Sequence, residues 1–450
     1  MRQTGRAPEA DAVPDQGTDP GATAGVEVEE TGASTLTERP EAAWRYLVRH
    51  APLRWLFVAM LLSGFALSLS WPQMGLFLTQ DLGLSVRVAG LYYVTNLAAP
   101  VAGFAVGALS DRLDSRIPLA VIGSLLAAIG WAVIALAQQP WVPFVINVLV
   151  LSLAGTAGGQ LFTVARGYLE QHPTPSRYGV LALLRISQAV GWITGPALGA
   201  WLAAVTSLRA TLLVTGALSA VALVPILFAG RHLPETPARL RRRDREQAPA
   251  RPAPVPVPKG RFALLIMFTV VGVLMMSGES IKLSFLSIYM AETLKVSAFA
   301  RGAVISLQPL LEIVFMALLA QLASRFGAMR IFALGIVTAA GAYLSYAGAD
   351  SLTTIAIGQV FMSVTVAATG VLGVAIAQEL CPERLATATN TFSSSLMVSG
   401  ALGGLYAGVA GDSLGIPHLF VLPAAATGLA ALVFVGVVIG RRRISGRVRT

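Results

Sequence analysis

Apolar blocks of about 20 residues, separated by short polar breaks, constrain this chain more than any other feature. A helix rises 1.5 Å per residue, so each block is long enough to cross a hydrocarbon core of ~30 Å. The pattern predicts an all-α membrane protein with twelve transmembrane helices, at 54–78, 86–109, 117–137, 141–165, 178–204, 208–230, 262–290, 301–323, 331–349, 352–377, 387–411 and 418–440. Of the 450 residues 55% are hydrophobic and 12% charged, which is too little polar surface to cover a water-soluble domain.

The charge of the chain is unevenly distributed. Its net charge of +10 divides into −6 over residues 1–41, which hold nine acids and three arginines, and +16 over the remainder. Large apolar residues are scarce in this acidic segment, so we expect residues 1–43 to form a disordered tail. No apolar run precedes Leu53, so we expect no cleavable signal peptide. The basic residues lie at block edges, where they orient membrane helices, and we expect no nucleic-acid partner.

Basic residues also predict the orientation and the division of the chain. The connection 231–261 carries nine of them around the sequence PAPVPVP, which is typical of an extended linker. It separates a six-helix half, 44–230, from a second half, 262–440, and a basic tail follows at 441–450. Both termini are predicted to be cytoplasmic, because the basic connections fall on their side. A 6+6 plan is common among transporters with a central cavity near the membrane midplane.

The residues available for other chemistry are few. Cys381 is the single cysteine and histidines do not cluster, so neither a disulfide nor a metal site is expected. The sequence AGTAGGQ at 154–160 lacks the lysine and Ser/Thr of a phosphate-binding loop, which argues against an ATP-driven pump. A membrane-embedded enzyme is the alternative from another class, but no cluster of the DxD or HExxH kind is present. The chain is therefore not expected to be an enzyme.

The segment GALSDRLDSR at 107–116 resembles the loop between the second and third spans of the major facilitator superfamily, with Asp114 where that family has glycine. The resemblance implies the major facilitator fold and a charge-linked latch between helices, carried by Asp111, Arg112 and Arg116. The alternative is that these are ordinary charges of a cytoplasmic loop. The segment SRFGAMR at 324–330 stands at the corresponding place in the second half.

The segment GWITGPALG at 191–199 resembles the glycine–proline signature of exporters and antiporters in that superfamily. Gly195 and Pro196 are predicted to kink the helix, because proline removes a backbone hydrogen bond. Simple close packing of small residues is the alternative.

Longer segments are similar to the bacterial sugar efflux transporters, a branch of the same superfamily: QLFTVARGYLE at 160–170, LLRISQAVGWITGP at 183–196, LLEIVFMALLAQLASRFGAMR at 310–330 and QELCPERLATATNTF at 378–392. This resemblance implies export of sugars or glycosides in exchange for protons, by a monomer in the bacterial cytoplasmic membrane. It implies that no cofactor is needed and that the proton gradient is the driving force. A multidrug exporter and a sugar importer are the alternatives within the superfamily.

Charged residues inside the spans are costly and therefore candidates for function. Arg166 and Glu170 are four residues apart, which favours a gating link or a solvated interfacial pair. Glu279 and Lys282 are three residues apart and can neutralise each other across a helical turn, with Lys282 as a gating or structural charge. The alternative is that Glu279 is the second candidate proton carrier. Glu312 lies near the middle of its span and is the first candidate proton carrier, one turn after Gln308.

Polar side chains predict a site for a neutral polyhydroxylated substrate. Arg185, Gln188 and Trp192 fall on one helix face, where an indole can stack on a sugar ring and the polar groups can bind hydroxyls. Helix packing is the alternative for this stripe. We hypothesise that Arg185 approaches Glu312, directly or through substrate. Further candidate substrate-binding amides are Asn96, Gln160, Gln308, Gln359, Gln378 and Asn390. The expected partners are thus a sugar, protons and membrane lipids.

Overall fold

The computed structural model describes residues 40–110, 113, 115–233 and 259–447, and all regular secondary structure within them is helical. A short amphipathic helix, αN, covers Pro40–Arg49. The long helices of the first half are α1 (Ala51–Asp81), α2 (Val86–Ser110), α3 (Ile117–Leu136), α4 (Val142–Gln171), α5 (Arg177–Val205) and α6 (Leu208–Arg231). Those of the second half are α7 (Lys259–Met275 and, after a turn, Glu279–Glu292), α8 (Ala298–Phe326), α9 (Ala328–Ala347), α10 (Leu352–Leu380), α11 (Leu385–Leu414) and α12 (Val421–Arg447).

Eleven of these long helices have the length and apolar composition of a membrane-spanning helix. The exception is α5, which has 29 residues and is long enough to cross. Its composition is more polar because Arg177, Arg185 and Gln188 fall in its first half. The chain is a multi-pass membrane protein, and the predicted count of twelve crossings depends on α5.

Several predicted boundaries differ from the helices that form. Helix αN begins at Pro40, within the segment expected to be disordered up to residue 43. Helix α12 continues to Arg447, well into the expected tail that starts at 441. Residues 1–39, most of the linker, and the loop residues Asp111 and Arg112 lie outside the described residues.

Polar contacts define the two ends of the helix bundle. At one end, here called the linker end, the Tyr46 hydroxyl donates to the His172 carbonyl, and Arg261 pairs with Glu383 at 2.6 Å. At the opposite end, the far end, Arg209 pairs with Asp81 at 3.2 Å and donates to the carbonyls of Ala135 and Ala137. The linker end thus holds αN, the α4–α5 and α10–α11 connections, and both helix ends that flank residues 234–258.

The glycine–proline segment of α5 packs tightly against α1. The Ser68 hydroxyl donates to the Gly191 carbonyl at 2.8 Å. A Cβ atom added to Gly195 would lie 2.8 Å from the Cβ of Ser68 and 3.0 Å from the nitrogen of Leu69. Pro196 lies within α5, which runs unbroken from Arg177 to Val205. These contacts are those of close packing, the alternative noted for this segment, and the kink at Gly195 and Pro196 stays a prediction.

The two halves meet through their far ends. Gln80 donates to Glu292 at 3.0 Å, and the amide of Arg87 donates to Asp412 at 3.3 Å. Deeper in the interface, the hydroxyls of Tyr93 and Ser284 share a hydrogen bond. These contacts join α1 and α2 of the first half to α7 and α11 of the second.

The linker end of the interface is open. A helix with neighbours on its inner face shows a buried stripe, yet Leu319 is the one buried residue between Leu311 and Phe326 of α8. Only Ala102 and Ser110 are buried between Ala98 and Ser110 of α2. By contrast, ten residues are buried in the 14-residue far half of α7. The structure is therefore closed at the far end and open at the linker end.

Candidate functional site

A cluster of charged and amide groups joins α7 to α8 near the middle of the bundle. The ammonium of Lys282 lies 2.9 Å from Oε1 of Glu279 and also donates to Oε1 of Gln308. The Lys282 side chain is 1% exposed, against 22% for Glu279. Glu312 follows Gln308 by one turn of α8 and lies within electrostatic range of Glu279 and Lys282. We call Glu279, Lys282, Gln308 and Glu312 the central cluster.

A break in α7 positions the first member of the central cluster. The helix is interrupted between Met275 and Glu279, and Tyr343 from α9 binds both sides of the interruption. Its hydroxyl donates to the Met275 carbonyl at 3.0 Å and accepts from the Gly278 amide at 3.1 Å. Glu279 then begins the second segment of α7, where an acidic residue is favoured by the helix dipole. Tyr343 is fully buried and fixes this geometry.

The predicted stripe on α5 lies beside α4 and α1 of its own half. The Arg185 guanidinium is exposed and stands 4.5 Å from the ring centroid of Phe162. The Trp192 ring lies 5.5 Å from that of Trp71 on α1, and both rings are partly exposed. In this open state Arg185 forms no ion pair with Glu312, so the direct contact we hypothesised is not made. The charged neighbours of Glu312 come instead from α7.

Helices α5 and α8 are nevertheless adjacent across the two halves, as the hypothesis required. A Cβ atom added to Gly302 of α8 would lie 2.7 Å from the carbonyl oxygen of Pro196. The backbones therefore touch near the far end, whereas Arg185 and Glu312 lie further toward the open linker end.

The predicted amides fall into separate groups. Between α2 and α4, Asn147 donates to both Thr95 and Asn96, at 2.7 and 2.9 Å. Closer to the linker end, the Ser110 hydroxyl donates to Gln160 at 2.8 Å. These contacts place Asn96 and Gln160 on the same pair of helices, half-buried at the inner edge of the first half.

In the second half, the three predicted amides have different surroundings. Gln359 is fully buried and accepts a hydrogen bond from Tyr346 at 2.8 Å, so it lies in the core of that half. Gln378 donates to Thr389 at 2.9 Å, and Asn390 is exposed on α11. Gln378 and Asn390 therefore border the linker end, while Gln359 is not accessible to a substrate in this state.

The remaining predicted charges lie at the linker end. Arg166 pairs with Glu170 at 3.1 Å, and Arg177 pairs with the same carboxylate at 3.0 Å. Arg116 precedes the first residue of α3. The Arg166–Glu170 pair is 64% and 50% exposed, which matches the solvated interfacial pair considered from the sequence.

Sequence reasoning missed several central groups. Gln73 is 2% exposed, and its Oε1 has no hydrogen-bond partner among the described residues. It lies in a short 3-10 turn of α1, Trp71–Gln73, next to Trp71. Pro72 within an apolar block was the available signal, because proline disturbs a helix interior. Tyr343 could not have been found from its own segment, since its role depends on contact with α7.

A break in one helix, a buried charged cluster and two helical halves joined at one end describe a polytopic membrane protein with a central interface between its halves. Among the described residues, no group of three or more His, Cys, Asp or Glu is arranged to hold a metal ion. A model of the Major Facilitator Superfamily matches residues 13–181, 56–281 and 268–449. The chain belongs to this superfamily of transporters.

Relatives refine the comparison. A protein of Deinococcus radiodurans named as a sugar efflux transporter is 27% identical over 82% of this chain and 94% of its own length. Sugar efflux transporter A of Escherichia coli is 25% identical over 78% of this chain and 87% of its own length. The multidrug resistance protein MdtH of Cronobacter sakazakii is 32% identical, but over 29% of this chain and 32% of its own length.

Solved structures agree on the fold. The crystal structure of the nucleoside transporter NupG has a TM-score of 0.68 to this chain, with 16% identity, and covers 87% of this chain and 98% of its own.

Proposed function

We propose that this protein is a secondary active transporter that exports sugars or small glycosides across the bacterial cytoplasmic membrane in exchange for protons. The observation that carries the proposal is the central cluster, in which the Lys282 ammonium contacts Glu279 and Gln308, and a second carboxylate, Glu312, follows Gln308 by one turn of α8. Relatives named for sugar efflux, matched over most of the chain, support the substrate class and the direction.

Export requires that the substrate enters from the cytoplasm. We infer that α5 is the twelfth crossing and that the linker end faces the cytoplasm, because the linker, the residues just before α1 and the C-terminal tail carry the basic residues. An interface open at the linker end is then the loading state. Rocking of the two six-helix halves, 44–230 and 262–440, closes that end and opens the far end.

The substrate surface combines rings with hydrogen-bonding groups. Trp71 and Trp192 offer partly exposed indole faces on which a pyranose can stack. Arg185 and Gln188 lie on the same face of α5 as Trp192. Gln160 and Asn96 line the opposite helices of the first half. This balance of amides and aromatic rings suits a neutral polyhydroxylated solute.

The charge of the central cluster couples proton binding to substrate export. With both carboxylates ionised, Glu279, Lys282 and Glu312 carry a net charge of −1, and one bound proton brings the sum to zero. A neutral cluster is favoured in the low-dielectric interior. Glu279 is tied to Lys282, so Glu312 is the carboxylate free to take the proton. In the opposite state, Arg185 approaches Glu312 directly or through substrate, and the proton is released.

The experiment is uptake of labelled sugars and cationic drugs, added outside, by inverted vesicles with an imposed inside-acid proton gradient. We expect sugar movement that depends on the gradient, and we expect Glu312→Gln to abolish the dependence. Asp350→Asn, which changes an exposed carboxylate at the far end, is the matched control and should transport normally. Unchanged proton-driven export by Glu312→Gln would remove this residue from coupling.

A multidrug exporter is the second candidate, and the partial match to MdtH favours it over other classes. The same panel separates the two functions. Movement of cationic drugs without movement of sugars would replace the proposed substrate class. Movement of both sugars and drugs would indicate a broad pocket in which the indole rings of Trp71 and Trp192, rather than the amides, dominate binding.

A further inference from the structure

Helices α1 and α6 bring two arginines to one stacked aromatic pair at the linker end. The ring centroids of Trp55 and Phe228 are 5.0 Å apart with an angle of 21° between their planes. The Arg54 guanidinium lies 5.9 Å from the Trp55 centroid, and the Arg231 guanidinium lies 5.4 Å from the Phe228 centroid. We call these four residues the Arg54–Arg231 cluster.

The two cations of this cluster have no carboxylate partner in the part of the chain that the structure describes. Arg54 and Arg231 are exposed, and the contacts they make are with aromatic rings. Other arginines at the same end are neutralised, as Arg261 is by Glu383 and Arg441 by Glu379. A pair of unneutralised guanidinium groups above an apolar surface attracts an anion that has its own apolar part.

The places of the two arginines along their helices predict that the cluster lies at the depth of lipid headgroups. Arg54 is in the first turn of α1, and Arg231 is the last residue of α6. Aromatic and basic residues at such positions are the usual contacts of a membrane helix with the interface. The stacked rings bring the two guanidinium groups to one patch of the surface, beside which an anionic headgroup would lie.

Helix αN extends this surface along the membrane. Its Ala43 and Leu47 are buried against the bundle, whereas Trp44 and Val48 are exposed. The Trp44 ring meets the Phe57 ring of α1 edge-on, with centroids 5.7 Å apart. An amphipathic helix with exposed apolar residues and basic residues lies in the interfacial plane and is attracted to anionic lipids.

We propose that the Arg54–Arg231 cluster, flanked by αN, is a binding site for the headgroup of an anionic phospholipid from the leaflet at the linker end. The two guanidinium groups donate hydrogen bonds to the phosphate, and the Trp55–Phe228 pair packs against the glycerol and the first acyl carbons. The site is on the outer surface of the bundle, away from the central cluster, and does not depend on the transported substrate.

The test is native mass spectrometry of the full chain with added phosphatidylglycerol or phosphatidylcholine. We expect retained phosphatidylglycerol, and we expect the Arg54→Gln/Arg231→Gln variant to lose one such molecule, with apparent affinity lowered about fivefold for each arginine. Arg325→Gln is the matched control, because Arg325 is a linker-end arginine 5.4 Å from the Phe326 centroid but without a second arginine or a stacked pair. It should keep the lipid.

Each outcome decides the proposal. Equal loss in Arg325→Gln, or no loss in the double variant, would overturn it in favour of general surface charge. Equal retention of phosphatidylcholine would also overturn it. Displacement by millimolar inorganic phosphate would mean that a free anion, not a lipid, is the ligand. Thermal unfolding in phosphatidylcholine checks that the double variant is folded, and Trp55→Leu gives a second variant that leaves both charges in place.

Discussion

Lys282 is the buried cation around which the central cluster is arranged. Its ammonium contacts Glu279 on its own helix and Gln308 on α8, and 1% of its side chain is exposed. Removing one partner of a buried ion pair leaves the other charge without compensation, which costs about 3–5 kcal/mol. Exposed pairs contribute much less, with a median of about 0–1 kcal/mol. The contributions to stability of the Glu279–Lys282 pair and of the exposed Arg166–Glu170 pair can therefore be compared directly.

We expect Lys282→Met to lower the thermal unfolding temperature markedly, because it leaves the half-buried carboxylate of Glu279 without its counter-ion. The double variant Glu279→Gln/Lys282→Met should recover most of the loss. Arg166→Met is the matched control, since its partner Glu170 is half exposed and also contacts Arg177. Thermal unfolding in one detergent measures all three. An equal loss for Arg166→Met would contradict the distinction between buried and solvated pairs.

Tyr343 acts on the site through the backbone. We expect Tyr343→Phe to loosen the turn between the two segments of α7, because it removes the hydroxyl bound to Met275 and Gly278. A buried hydrogen bond of this kind contributes about 1 kcal/mol. The measurement is hydrogen exchange of the amides at 276–282. Tyr289→Phe, which removes a hydroxyl bound to the Ala349 carbonyl, is the control; it should leave that exchange unchanged.

At the scale of helices, small residues have two separable roles. Gly195 lies between α5 and α1 within the first half, and Gly404 lies between α11 and α2 across the halves. A Cβ atom on Gly404 would be 2.7 Å from the Gly90 carbonyl oxygen and 3.0 Å from the Val94 nitrogen. If the halves rock as proposed, we expect the first contact to persist in every conformation of its half and the second to exist only while the far end is closed.

Gly195→Val should therefore destabilise the protein in all states, by about 1–3 kcal/mol of overpacking. Thermal unfolding measures the loss, and Gly159→Val, at a site with no neighbour within 4 Å, is the control. A stable Gly195→Val protein would mean that α1 and α5 separate more easily than their contacts indicate.

Gly404→Val should instead keep the unfolding temperature and favour opening of the far end. The measurement is the spin-label distance between Gln80→Cys and Glu292→Cys, introduced in a Cys381→Ser background. We expect the distance distribution to shift to longer values than in the protein that keeps Gly404. Loss of stability without a shift in distance would show that the α2–α11 contact stabilises the fold as a whole rather than the closed far end.

At the scale of the whole molecule, the closed far end predicts the effect of a cross-link. A cleavable thiol cross-linker between Gln80→Cys and Glu292→Cys should stop transport by holding α1 to α7, and reduction should restore it. The control joins Asp81→Cys to Arg209→Cys, which lie at the same end but within the first half. Transport by the cross-linked Gln80–Glu292 protein would contradict alternating access through this interface.

Some of the site could be predicted because it depends on one helix at a time. The spacing of Glu279 and Lys282, and of Arg166 and Glu170, predicts pairs within a helix, and both pairs form. The contact of Lys282 with Gln308 joins two helices and is not encoded in either segment. For Arg185 the sequence gives the helix face, but the ring it contacts, Phe162, comes from α4.

By itself the sequence determined the class of protein, the extent of most spans and the superfamily, because hydrophobic length and local motifs act residue by residue along the chain. Only the tertiary structure decided which ends of the halves touch, where α7 breaks, and which charges face one another across helices. Close approach between helices depends on backbone shape at both surfaces, as at Gly404 and Gly90, and one helix cannot specify the surface of its neighbour.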